Sequence, residues 1–174
     1  ACRRRAFRRV TDVYGALNEN LSVGVIIRDV TFVVIRDGEA PRRLEPMHGL
    51  VMTGDCELDK YWHKIERGIS DEAVRAWPVT AAPLRTELDG LEGGGLAGDI
   101  RRGRVRRYFH IPAAGGLPEF AADLWFAQPV PRRGFDDRRA ATLSRTFLLR
   151  LFQQDWETRT RIPIPDVFPI VGTA

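Results

Sequence analysis

The sequence predicts a mixed α+β domain: a small curved sheet with short helices inserted between its strands and a long C-terminal helix packed on it. Three stretches carry that expectation. Residues 21–36 are rich in β-branched residues, broken at Gly24 and at Arg28-Asp29. Leu58, Tyr61, Trp62 and Ile65 recur at i, i+3, i+4 and i+7 soon after the apolar Leu50-Val51-Met52-Thr53. Residues 138–157 place Ala140, Leu143, Phe147, Leu148, Leu151, Phe152 and Trp156 on one helical face. The 174 residues are 44% hydrophobic and 29% charged, enough to bury the core of one domain without disulfides or metal.

Each element follows from local chemistry. Phe7, Val10, Tyr14 and Leu17 share one side at helical spacing, so residues 6–17 read as a short amphipathic helix within an N-terminal arm, residues 1–19. Residues 21–36 form one bent strand or two, ending at the turn signal Asp37-Gly38. Pro41 and Pro46 make residues 39–46 a loop, and residues 50–53 form a short buried strand. Asp55 is placed to cap a helix over 56–66, with Gly68 as its stop. Ser70 caps a second helix that ends at Trp77-Pro78, and Pro83 to Leu91 reads as a third. The glycines of residues 90–98 mark the most flexible stretch. Residues 104–111 and 120–127 alternate as strands around a loop from Pro112 to Pro118. Asp136 or Asp137 caps the long helix, and residues 158–174 form an extended tail around Ile162-Pro163-Ile164-Pro165. The whole chain, residues 1–174, reads as one domain.

Charge is segregated. Residues 11–100 carry net −7, whereas residues 101–150 hold eleven arginines against four acids. Either the two halves complement each other within the fold, or the basic half presents a face to a polyanion. The apolar runs Val23 to Ile27 and Phe32 to Ile35 are too short to span a bilayer, and no apolar stretch follows Arg3-Arg4-Arg5. With two cysteines, Cys2 and Cys56, the expected setting is a reducing, cytoplasmic one with no membrane partner.

Two constellations stand out. The first surrounds Thr53-Gly54-Asp55-Cys56, where a strand turns into a helix. A thiol at a helix N-terminus is acidified, but Asp55, Glu57 and Asp59 oppose a further negative charge. Cys56 therefore reads either as a reactive group or as a small buried hydrophobe. Cys56, Asp59 and His63 share a helical face but lack tight metal-ligand spacing, so no metal or other cofactor is expected. The second is Arg101, Arg102, Arg104, Arg106 and Arg107 followed by Tyr108, Phe109 and His110. On a strand, Arg104, Arg106, Tyr108 and His110 would share a face able to pair with phosphates and stack on bases, with Arg132 and Arg133 extending the region. The opposing reading is a face paired within the chain. There is no phosphate loop and no Gly-x-Ser-x-Gly elbow.

Leu21 to Ile26, Val51 to Leu58, Phe109 to Pro112, Ala122-Asp123-Leu124 and Arg139 to Ser144 occur in the order of an uncharacterised bacterial family, which the chain resembles over about residues 20–155. Glu57 stands where that family's pattern usually has Asp. The first half also looks distantly like the small SH3-like barrels of MazF and PemK-type ribonucleases, through Pro46-Met47-His48-Gly49-Leu50-Val51-Met52-Thr53. That resemblance implies a partly open SH3-like β-barrel, but the catalytic Arg-Pro of those enzymes is missing here.

The reading that follows is a non-catalytic binding or accessory module. It engages nucleic acid or a protein partner through the Arg-rich face of Arg104, Arg106, Arg107, Tyr108, His110, Arg132 and Arg133. The alternative is an RNA- or nucleotide-directed hydrolase with His48, Thr53, Asp55 and Cys56, joined by His110, at its site. A third expectation is that the apolar tail (Ile162, Ile164, Val167, Phe168, Ile170) docks on a co-encoded protein.

Overall fold

A computed structural model describes residues 12–17, 21–35, 38–70, 77–91 and 95–160; at Cys56, Tyr61, Trp62 and Ile65 it describes the backbone. The strands are β1 (Tyr14–Gly15), β2 (Val25–Val30), β3 (Val33–Val34), β4 (Arg42–Arg43), β5 (Met47–Val51), β6 (Pro78–Arg85), β7 (Tyr108–Ile111), β8 (Phe120–Asp123), β9 (Gln128–Pro131) and β10 (Arg139–Leu143). The helices are α1 (Asp55–Glu66), α2 (Leu96–Arg101) and α3 (Arg145–Thr160), with 3₁₀ turns at Leu88–Gly90, Leu124–Phe126 and Asp136–Arg138. Eight strands form one antiparallel sheet in the order β1-β10-β2-β5-β6-β8-β7, with β9 also on β6, and β3 and β4 make a separate ribbon. The sheet curls into a half-barrel, the mixed α+β architecture expected.

Two faces of the sheet are filled differently. Inside the curl, Ile26, Leu50, Ala82, Leu84, Phe109, Ile111, Phe120 and Leu143 form one core, and α3 seats Phe147 and Leu151 in it. On the outer face, Val25, Ile27, Val51, Val79 and Val130 meet Leu58 of α1, and Tyr108 and Ala121 meet Ala97 and Ile100 of α2. The period-2 alternation of β2, β5 and β6 supplies both cores at once. Gln154 Nε2 on α3 donates to the carbonyls of Val105, Arg106 and Tyr108, tying the turn before β7 to the helix. Gly24 has φ +78° and lies under Leu148 of α3, where a Cβ would come within 2.2 Å of Leu148 Cδ2.

Several expected elements are replaced. Residues 12–17 of the expected N-terminal helix hold strand β1, because Tyr14 and Gly15 pair with Leu143 and Thr142. Residues 83–91 are not a helix: Pro83 to Arg85 end β6, which is paired on both sides, and a 3₁₀ turn follows. Two prolines hid this central strand. Thr80 N–H donates to Thr53 Oγ1 and Thr80 O accepts from Met52 N–H, so Thr80 and, by alternation, Ala82 face β5. Pro83 therefore lacks an N–H only on the opposite side, where the turn Leu124–Phe126 interrupts the β8/β9 neighbour.

The segment 104–111 becomes a strand only from Tyr108; residues 106–107 are a turn. The expected helix over 138–157 is strand β10 followed by α3. Thr142 pairs with Val25 on one side and Gly15 on the other, and two ladders outweigh the helical pattern of Ala140 and Leu143. Helix α3 runs on through Thr158 and Thr160, which the expected tail had claimed. Helix α2 and β4 arise in stretches read as flexible and as loop, and β9 follows the strand expected over 120–127 in a stretch given no element. The helix expected after Ser70 and the tail 161–174 lie outside the described residues, as do residues 1–11 and 18–19 of the N-terminal arm. Among the described residues no helix is long and apolar enough to cross a membrane.

Candidate functional site

The residues of the hydrolase reading sit at opposite ends of one strand. His48 lies near the start of β5 with its ring against Phe120, centroids 5.2 Å apart. Burial, aided by the positive charge of Arg28, holds its imidazole below the usual histidine range. Thr53 and Asp55 lie past the other end, roughly 16 Å away along an extended chain. There they act as tethers: Thr53 Oγ1 accepts the Thr80 N–H at 2.7 Å, and Asp55 Oδ1 accepts the Val23 N–H at 2.8 Å. Cys56 occupies the first turn of α1, and its side chain lies outside what is described. His63 bonds Glu66 at 3.1 Å, on the exposed side of the same helix. Among the described residues, no group of three His, Cys, Asp or Glu side chains is placed to hold a metal.

The arginines of the second constellation are largely answered by carboxylates. Arg101 donates through Nε and Nη2 to both oxygens of Glu119, at 2.9 and 2.8 Å, and His110 Nε2 lies 2.7 Å from Glu119 Oε1. The Arg101 guanidinium, against the opposing effect of burial and helped by His110, holds the Glu119 carboxyl down at about 2. Arg107 makes the same two-pronged contact with the buried Asp123, at 3.0 and 2.8 Å. Asp99 takes Arg102 at 2.9 Å and Arg104 at 3.6 Å. Tyr108 is only 2% exposed, packed under α2, so its ring does not share a surface with Arg104 and Arg106. Arg132 is also buried, 4.0 Å from Asp136, whereas Arg133 is exposed. Both follow β9 at the far end of β6, roughly 20 Å along that strand from the Arg107 corner.

What remains open to solvent at the Arg107 corner is an aromatic surface that the strand reading had missed. Trp125 is 68% exposed, and the Arg107 guanidinium carbon lies 5.8 Å from its ring centroid. The 3₁₀ turn Leu124–Phe126 causes this. It buries Leu124 in the inner core and throws the next side chain outward. Arg106 and Arg104 are exposed on the segment leading to Arg107. That segment is held by Gln154, and Thr158 Oγ1 donates to Arg106 O at 3.0 Å. No clear signal in the sequence points here, because the apolar run Leu124-Trp125-Phe126-Ala127 reads equally as a strand buried on both faces, as Phe120-Ala121-Ala122 is.

Comparison with protein-family models, with curated proteins and with solved structures finds no match for this chain. The corner therefore has to be read from its own chemistry. A fixed guanidinium beside an open indole can stack on a flat ring, and the exposed Arg104 and Arg106 can reach an anion attached to that ring.

Proposed function

We propose that the protein is a non-catalytic binding module that takes single-stranded nucleic acid at the corner of Trp125, Arg107, Arg106 and Arg104. The carrying observation is the 68% exposed Trp125 indole beside the Asp123-anchored Arg107. A base stacks on an aromatic face irrespective of its identity, and nearby arginines neutralise the phosphates on either side of it. Asp123 fixes Arg107 in place, which lowers the entropy lost when a ligand arrives. Arg106, with no carboxylate beside it among the described residues, supplies the charge that remains for a phosphate.

The test is a titration of labelled single-stranded RNA, single-stranded DNA and duplex DNA at two salt concentrations, followed by denaturing gels. The expected result is salt-sensitive binding of the single strands with the oligonucleotides intact. Trp125→Ala weakens it by about tenfold or more, the loss of one base stack. Equal affinity of Trp125→Ala, Arg106→Ala and the unaltered protein would remove the assignment. Strand cleavage would instead return the hydrolase reading centred on His48, Thr53, Asp55 and Cys56.

A further inference from the structure

The outer face of the sheet carries two separate patches of core, and a seam runs between them. Met47 packs against the patch under α1, and Leu91 against the patch under α2. Arg85, the last residue of β6, stands at this seam, opposite Ala121 of β8. A cleft of about 280 Å³ opens there, and its walls include Met47, Leu91, Arg85, Thr86 and Glu87. That is close to the roughly 300 Å³ of the smallest ligand pockets.

Two charges line the cleft and neither is answered. Arg85 is half-buried and Glu87 is exposed. Among the described residues neither side chain has a hydrogen-bond or ion-pair partner, and the two do not bond each other. Glu119, two residues before the Ala121 that faces Arg85, is already held by Arg101 and His110. Arg107 is half-buried in the same way, but Asp123 meets it at 2.8 Å. A guanidinium drawn partly out of water calls for such a counter-charge, and at Arg85 the fold supplies none.

The pair of charges indicates what fits. A simple anion would meet Arg85 and be repelled by Glu87, and a simple cation would meet the reverse. A zwitterion matches both. Its carboxylate takes the forked donors of Arg85, and its ammonium donates to Glu87. Met47 and Leu91 offer the rest of the ligand an apolar wall.

We propose that this cleft binds a free α-amino acid with an apolar side chain, its carboxylate on Arg85, its ammonium on Glu87 and its side chain against Met47 and Leu91. The site shares no residue with the Trp125 corner, and nucleic-acid binding can stand or fall without it.

A ligand-observed NMR titration of the full chain decides the matter. The probes are L-leucine, isocaproate (leucine without its ammonium) and isoamylamine (leucine without its carboxylate). Leucine is expected to bind with a dissociation constant below about 1 mM. Each analogue binds about tenfold more weakly or worse, the loss of one charge-assisted contact. Arg85→Met keeps the apolar stem without the charge and weakens leucine by about tenfold or more. Glu87→Gln, an exposed change, brings leucine down to the level of isocaproate, because the ammonium no longer has its partner. A merely structural role of Glu87 would lower both ligands alike and leave leucine ahead. Absence of leucine binding at about 10 mM overturns the proposal. So does isocaproate that binds as tightly as leucine to the unaltered protein, which would make the cleft a plain anion site. Leucine binding that neither variant weakens, or that stays ahead of isocaproate in Glu87→Gln, overturns it as well.

Discussion

Tyr14 of the edge strand β1 lies beside Gly115, where a Cβ would come within 3.4 Å of its ring, and its hydroxyl is buried with no hydrogen-bond partner among the described residues. Burial pushes that hydroxyl up to about 12. An unpaired buried hydroxyl carries a desolvation penalty that its removal relieves. Tyr14→Phe is therefore expected to hold or raise stability by about 1 kcal/mol in urea unfolding, and a loss of that size would show that the oxygen is bonded after all. Glu119 makes the opposite case. Its carboxyl is held at about 2 by Arg101, below the unfolded range, so its contribution is full above about pH 4.5 and is lost as pH falls towards 2. Arg101 is 44% exposed, so solvent screens the pair and its contribution is small. Urea melts of Arg101→Ala should fall below the unaltered protein at neutral pH and converge with it near pH 2; a constant gap across that range would detach the effect from Glu119. At this scale the arginine cluster was legible in the sequence, but its partners were not. Glu119 and Asp123 stand twelve or more residues from Arg101 and Arg107, and only the β7–β8 hairpin brings them together.

Elements were legible where one local pattern had no rival. Helix α1 runs from Asp55 to Glu66, close to the expected 56–66, although Asp55 begins it and accepts the Val23 N–H instead of capping it. Strands β2 and β8 sit in their apolar runs, and β5 starts three residues before its expected run and stops at Val51. Strand β6 and the β10–α3 boundary were not legible, because their identity comes from neighbours. Pro83 is tolerated by the break in β8/β9, and Thr142 is claimed by two ladders. Gly24 is where such neighbours meet. Its N–H donates to Val51 O at 2.8 Å, its O accepts from Leu143 N–H at 3.0 Å, and Leu148 lies over it. Gly24→Ala combines a left-handed φ of +78° with a Cβ inside the reach of Leu148. It should cost about 1–3 kcal/mol in urea unfolding. The Leu148→Ala background relieves the collision but not the backbone strain, so the glycine substitution should cost less there while still costing something. An equal cost in both backgrounds would mean that Leu148 already moves aside.

For the whole molecule, the question is how much of the segregated charge is left to act outward. Of the eleven arginines in residues 101–150, Arg101, Arg102, Arg104, Arg107 and Arg132 lie within 4.0 Å of Glu119, Asp99, Asp99, Asp123 and Asp136. Arg138 and Arg139 are turned onto backbone carbonyls. The carboxylates come from Asp99 and from within the basic stretch itself. Asp99 of the acidic first half answers two of these arginines and acids of the basic stretch answer the other three, so a folded basic half meets a phosphate chain with far less free charge than its composition suggests. Salt dependence measures that remainder. Each phosphate neutralised on a single strand contributes about 0.7 to the slope of log K against log salt. With Arg104, Arg106 and a neighbour engaged, the expected slope is about −1.5 to −2; if all eleven arginines met phosphates it would approach −8. A slope at the steep end would mean that the ion pairs of Glu119 and Asp123 open on binding, and would shift the interface from the Trp125 corner to the whole outer face of the β7–β8 hairpin. The shallow slope, together with sensitivity to Trp125→Ala, would mean that stacking rather than charge holds the ligand, as an internally neutralised fold requires.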